Sequence, residues 1–534
     1  MKRKGIIILL TILGVGLFLR LYNLHDNVFY GYDQARDAKR IFEMLFLHRP
    51  KLVGPETDIP GVFNGPLLYY FLLPFYAVSH FNPNFGAVAM TLLNLTGVIW
   101  LYLIGKNLFN SKVGLAAAFV WAVSYEQVNF ARYLSNTGMT PTLCLIFFLG
   151  LIMYRFGKKE IGLPISVVGL ALAIHVNFYL IYLAIFYFIY WPKVKAKVWL
   201  QSMIAGLLIL LPFILAEIKF RFMASRSLLL YFHEQRLPLL ISTSFKNYLQ
   251  SLGDMIYYSL FSFSSFLGFL LFFFTLFLMY REVGKRDKDK ALFIVIWFFS
   301  TLPLFAFQSG VVTGYSIQSS IMGAAAVIVG WFIVHCYEQK NSRLLAVISL
   351  VLIFAGNLVL FNSEKFKSIK LFAYQPMVYG EQKALMDYTY RSAGGRPFSV
   401  CALTNPLFIN ATWSSLYKFY GEKKYGYLPF WSGQKQYFIE GFLPYDTAHV
   451  KTRYLIIEPL AGLTKTAKET LIFDEDHRSA IVEEKYFGQI KVEKREMSPD
   501  GSNLRDTQNL TDEKVRLYQK VQQNDPRYTC FTGY

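Results

Sequence analysis

Apolar runs about as long as a bilayer is thick recur along two thirds of this chain, and no other feature constrains its fold as strongly. A helix rising 1.5 Å per residue needs about 20 mostly apolar residues to cross hydrocarbon. Such runs lie near 5–22, 87–105, 113–131, 138–154, 161–175, 177–191, 199–216, 262–280, 291–307, 317–335 and 344–361. The polar His175-Val176-Asn177 splits the long stretch 161–191 into a helical hairpin. The first run follows Met1-Lys2-Arg3-Lys4 but lacks a small-residue cleavage site and ends at Arg20, so it reads as a retained helix rather than a signal peptide. Charge divides the chain in the same place. Residues 1–361 hold 30 Lys and Arg with 15 Asp and Glu, whereas the remaining 173 residues hold 24 and 20. The sequence therefore predicts a polytopic α-helical membrane protein of about eleven transmembrane helices plus juxtamembrane helices, followed by a soluble α/β or α+β domain. The net charge of +19 sits mainly in short loops between apolar runs, which excludes nucleic acid as the reason for it. Cys144, Cys336, Cys401 and Cys530 show no metal-ligand spacing.

Sidedness follows from the basic residues. If the apolar stretch Pro66–Tyr76, broken by Pro74, is re-entrant or interfacial, the short loops with Lys106, Lys112, Arg155, Lys158, Lys159, Lys193, Lys195, Lys197, Arg281, Lys285, Lys340 and Arg343 fall on the side of the N-terminus. The positive-inside bias makes that side cytoplasmic. The N-terminus is then inside, the C-terminal domain extracytoplasmic, and the long loops 23–86 and 217–261 lie on the outer face, where chemistry is expected. The expected organisation is a transmembrane domain 1–361 with a candidate catalytic helix 33–47, a soluble domain 362–494, and a polar, flexible tail 495–534.

Within the first outer loop, Ala38, Ile41, Phe42 and Leu45 follow helical spacing and form one apolar stripe. Asp33, Arg36, Asp37 and Arg40 fall on the opposite face. That face is either a solvated surface with salt bridges or two carboxylates set beside two guanidinium groups, a general base next to phosphate-binding donors. Arg132 closes another helix on the same side, as a phosphate ligand or a snorkelling anchor. Glu126 is an acid near membrane depth, functional by default or simply paired with Arg132. His175 and Asn177 end a helix on this side, as structural hydrogen-bonding groups or as ligands for phosphate, sugar hydroxyls or a metal. The second outer loop adds Arg226, His233 and Arg236 as candidate acceptor contacts, or as a solvated face.

The order Leu19-Arg20-Leu21-Tyr22, an Asp-bearing loop helix, Gly65-Pro66-Leu67-Leu68-Tyr69-Tyr70, Tyr102–Phe109 and Phe130-Ala131-Arg132-Tyr133 resembles the GT-C membrane glycosyltransferases. The likeness is to the dolichyl-phosphate-mannose protein mannosyltransferase and aminoarabinose lipid A transferase type. It implies an inverting transfer of a sugar from a polyprenyl-phosphate donor to a lipid, protein or polymer acceptor at the outer face of the cell membrane. Asp33 is then the catalytic acid or base, and Arg36, Arg132, His175 and Asn177 are contacts to the donor. The family usually has an Asp-Glu pair where this chain has Asp33-Gln34; Asp37, Asp58 or Glu56 stands in for the second acid, and use of a divalent metal stays open. The alternatives are an oligosaccharide or polymer ligase of the same broad fold, a lipid-linked-sugar transporter or flippase, and a scaffold. No repeated halves with Gly- or Pro-broken helices support a transporter.

In the tail, 397–403 and 453–458 read as strands and 380–391 as a helix. Tyr417, Tyr420, Tyr425, Tyr427, Phe430 and Trp431 serve either core packing or stacking on sugars. Cys401 and Cys530 share the oxidising side and are candidates to pair.

Overall fold

The computed structural model describes residues 3–191, 193–234, 241–306, 318–365, 367, 371, 377–405, 409–433, 441–446, 450–459, 472, 475–476 and 479–497. Arg236, Cys530 and the tail beyond 497 lie outside them. The helices of the first three hundred residues are α1 (Arg3–Leu21), α2 (Tyr32–Phe46), α3 (Leu67–Ser79), α4 (Pro83–Leu108), α5 (Ser111–Val123), α6 (Tyr125–Arg132) and α7 (Asn136–Phe156). They continue with α8 (Lys159–Val176), a 3₁₀ turn Phe178–Ala184, α9 (Ile185–Ile189), α10 (Ala196–Lys219), α11 (Met223–Glu234), α12 (Ile241–Ser259), α13 (Ser265–Gly284) and α14 (Lys288–Phe299).

Among the described residues, α1, α4, α7, α8, α10, α13 and the segment Lys340–Ser363 are long and apolar enough to cross a membrane. The other four predicted runs coincide with shorter helices: α5, the 3₁₀ turn with α9, α14, and Met322–Glu338. The outward surfaces of the long helices are apolar, with Leu10 61%, Phe18 58%, Leu208 65%, Phe266 70% and Leu344 71% exposed. In water this would be an apolar patch far larger than soluble proteins carry; it is the surface of a polytopic membrane protein. Most of the stretch Pro66–Tyr76 lies in α3, whose thirteen residues rise about 20 Å, the same length as α5.

Two compact units form. The first comprises 1–24, 51–68 and 87–371. Its tightest helix pair, α7 and α8, is set by glycines: a Cβ on Gly150 would lie 2.6 Å from Ser166 Cα, and one on Gly169 would lie 2.7 Å from Phe147 Cα. Small residues here let the two backbones meet, as membrane helices do when no hydrophobic force separates lipid from protein. Arg20 locks α1 into this unit, donating to Asn94 Oδ1 and to the carbonyls of Gly16, Trp121 and Ala122.

The second unit comprises 25–50, 69–86 and 372–534, so it takes in α2 and most of α3 as well as the tail. Its sheet has the order β2-β1-β3-β5-β4, from β1 (Ser399–Leu403), β2 (Phe430–Trp431), β3 (Thr452–Ile457), β4 (Ser479–Phe487) and β5 (Ile490–Met497). β1 runs parallel to β2 and β3; β3–β5 and β5–β4 are antiparallel, the last pair turning at Gly488 with φ +61°. Phe398, Val400, Tyr454, Ile456 and Val492 cover one core with Leu385 and Met386 of the helix Tyr379–Ala393.

Candidate active site

The carboxylates of the loop 23–86 are organised by one guanidinium. Arg36 of α2 donates from Nη1 to Asp33 Oδ1 at 2.8 Å and from Nε to Asp37 Oδ1 at 2.9 Å. Its ring neighbour is Tyr32, with the guanidinium 5.5 Å from the ring centre. The two acids differ sharply in environment. The Asp33 side chain is 48% exposed and faces outward from the first turn, where the helix dipole favours a carboxylate. Asp37 is 4% exposed and also accepts from the Tyr69 hydroxyl of α3 at 3.2 Å. Burial lifts the Asp37 carboxyl above the usual carboxylate range, against the pull of Arg36 and Tyr69.

Asp37 thus corrects the helical-wheel expectation, which set it on the polar face with Asp33. It faces inward with Gln34, Ala35, Ala38, Ile41 and Met44, because Arg36 and Tyr69 satisfy it there. Phe42 and Leu45, expected at the centre of the apolar stripe, are only partly covered. Gln34, standing where the resemblance leads one to expect an acid, closes the helix start: its Oε1 accepts from the Gly31 N–H at 3.0 Å. Tyr69 is a partner that sequence reasoning quoted within a motif and gave no role. Among the described residues no three His, Cys, Asp or Glu side chains converge as a metal site.

The remaining candidates belong to the first unit. Arg132 is fully buried, and its guanidinium donates to the carbonyls of Leu19 and Arg20 at 3.0 Å, Tyr22 at 2.5 Å and Lys367 at 3.1 Å. Four of the five donors of an arginine are committed, three of them to the carbonyl end of α1, where cations are favoured. The geometry is that of an anchor, one of the two roles the sequence left open for Arg132. Glu126 is buried and bonds Ser259 instead of Arg132, and its Oε1 has no hydrogen-bond partner among the described residues. His175 fastens the loop 23–86, its carbonyl accepting from Gly65 N at 2.7 Å while the imidazole Nε2 meets the Ile209 carbonyl; Asn177 caps the 3₁₀ turn through Tyr179 N. Asp58 lies beside Tyr179 in the same loop. Arg226 and His233 are exposed on α11, whose Ser227 abuts Gly61.

Comparison with solved structures decides the fold. ArnT from Cupriavidus metallidurans, solved with undecaprenyl phosphate bound, superposes with a TM-score of 0.55 at 10% identity over 92% of this chain and 98% of that one. The chain has a GT-C fold. The apo oligosaccharyltransferase of Archaeoglobus fulgidus gives a TM-score of 0.51 at 11% identity, covering 80% of this chain and 64% of that chain's length. By sequence, residues 63–218 match the family model described as dolichyl-phosphate-mannose-protein mannosyltransferase. The search of curated proteins found no match. The matched segment of this GT-C chain runs from the end of the loop before α3 through α10 and contains Tyr69, Arg132, His175 and Asn177. The acids of α2 lie before it.

Proposed function

We propose that this GT-C protein transfers a sugar from a polyprenyl-phosphate donor to an acceptor hydroxyl at the extracytoplasmic face, with inversion. The observation that carries the reading is the pairing of a half-exposed Asp33 with an Arg36 that the buried Asp37 braces from behind. The exposed carboxylate takes the acceptor proton as the acceptor oxygen bonds to the anomeric carbon. The bond from that carbon to the phosphate oxygen breaks, and the polyprenyl phosphate leaves with the electron pair. Arg36 is charged, prepositioned and mostly out of water, the setting in which a donor stabilises developing phosphate charge most. Asp37 acts through Arg36 and is a positioning residue.

The reading includes eleven crossings, the N-terminus in the cytoplasm and the tail domain outside. Purified protein in nanodiscs, given radiolabelled polyprenyl-phosphate monosaccharides and cell-envelope acceptors, should transfer label. General-base loss in Asp33→Asn should cut turnover by about 10²–10⁴-fold; undiminished transfer by that variant refutes the assignment. Transfer only from lipid-linked oligosaccharides would make the protein a ligase instead. A reporter fused after residue 361 should be active only outside the cytoplasm, and cytoplasmic activity reverses the orientation.

A further inference from the structure

Far along the chain from the acids of α2, a cavity of about 410 Å³ opens where α7 ends, α8 begins and α9 stops. Tyr154 and Arg155 come from the last turn of α7, Lys159 from the first residue of α8, and Tyr190, Trp191 and Lys193 from the chain just beyond α9. Tyr154 builds the wall. Its buried hydroxyl accepts from the Lys193 N–H at 2.7 Å and donates to the Trp191 carbonyl at 3.0 Å, which fixes both residues in the lining. The Arg155 guanidinium lies 5.9 Å from the centre of the Tyr190 ring.

The charge of this hollow is unbalanced. Three cations line it and no acid does. Of the acids nearby, Asp289 pairs with Arg155, and Glu160 pairs with Lys195 at 3.6 Å rather than with a lining residue. Lys159 and Lys193 have no carboxylate partner among the described residues. The floor is aromatic, and Trp191 is 60% exposed at a helix end, the position that tryptophan takes at the edge of hydrocarbon. A volume of this size suits a small-molecule head rather than a single ion. Cations and rings lining one hollow, with the exposed apolar side chains of Ile161, Phe188 and Ile189 next to it, select an amphiphile with an anionic head.

We propose that this cavity holds the phosphate of an anionic phospholipid headgroup, with Lys159, Lys193 and Arg155 as its cationic contacts. Basic pockets between membrane helices bind such headgroups through the same combination of charge and apolar flank. The site is independent of the glycosyl-transfer reading; only its assignment to the cytoplasmic leaflet rests on the orientation proposed above.

The test is lipid retention by the full chain. Delipidated protein would be titrated with vesicles of neutral phospholipid containing an anionic phospholipid with brominated acyl chains, following tryptophan quenching. Each lysine near an anionic headgroup contributes about fivefold, so K159Q/K193Q should weaken the response about 30-fold. K340Q/R343Q, basic residues of another loop outside the cavity, should leave it within about twofold. Inorganic phosphate at matched concentration should not compete. Equal weakening by both double variants, or none by the first, overturns the proposal; competition by inorganic phosphate as strong as by the lipid overturns the lipid assignment. Trp191→Ala should weaken quenching while leaving the lysines in place, and retained quenching in that variant counts against the floor described here.

Discussion

Removing Arg36 tests how α2 is built. Its two ion pairs are unequal. The Asp33 partner is about half exposed, and such surface pairs contribute about 1 kcal/mol or less. The Asp37 partner is 4% exposed, and breaking a buried pair by removing one member costs about 3–5 kcal/mol because the survivor keeps its charge out of water. Arg36→Ala should therefore destabilise the protein mainly through Asp37. The stranded carboxyl escapes by taking up a proton. Without Arg36 the pull that opposes burial is gone, so the folded pKa of Asp37 rises further above its unfolded value. A group raised in this way is fully stabilising below the unfolded pKa and loses that contribution as pH rises through the folded one. The gap in thermal midpoint between wild type and Arg36→Ala should thus be small near pH 4 and widen as pH rises. Asp37→Asn added to Arg36→Ala removes the stranded charge while keeping an acceptor for Tyr69, so the double variant should show a small gap that does not change with pH. Differential scanning fluorimetry of detergent-purified protein from pH 4 to 8 measures all three. A pH-independent gap for Arg36→Ala, or no rescue by Asp37→Asn, refutes the argument that Asp37 is held in place by Arg36. If the double variant regains stability yet transfers sugar poorly, Arg36 serves the reaction as well as the fold.

Two further predictions follow from buried groups elsewhere. Glu458 is 3% exposed and accepts from the Trp413 indole and the Asn405 N–H, each at 2.9 Å; burial pushes its carboxyl up to about 7. Because the folded value lies above the unfolded one, wild type should lose on the order of 3 kcal/mol between about pH 4.5 and pH 8. Glu458→Gln should start less stable at pH 5, one acceptor short, and lack that decline; an unchanged pH profile would show that Glu458 does not titrate there. In the loop before α3, a Cβ on Gly65 would lie 2.7 Å from His175 Cγ. Gly65→Ala should cost about 1–3 kcal/mol by overpacking, and His175→Ala should recover much of that loss in the double variant; strictly additive midpoints would show that the two residues do not touch.

The parts legible in the sequence are those fixed by local pattern. Hydropathy is a property of a stretch, so each of the eleven apolar runs falls on a helix even where that helix proves short. The alternation of charge along 33–40 likewise marked α2 as the helix that bears the acids. What stayed hidden depends on partners distant in sequence. Asp37 turns inward only because Tyr69 arrives 32 positions later with a hydroxyl to donate. Arg132 and Arg20 show the deeper difficulty: their acceptors are mostly backbone carbonyls, a group every residue carries and no sequence motif marks. A cation at the end of an apolar helix therefore looks unpaired on paper whenever its partner is the carbonyl end of a neighbouring helix. Gln34 points to a remedy, since its bond to the Gly31 N–H spans only three residues and was readable as a helix start. Local capping should be assigned before polar residues are given catalytic roles. Applied to α2, that order of reasoning removes Gln34 from the search for a second acid and leaves the Asp33–Arg36–Asp37 triplet as the arrangement that experiment must address.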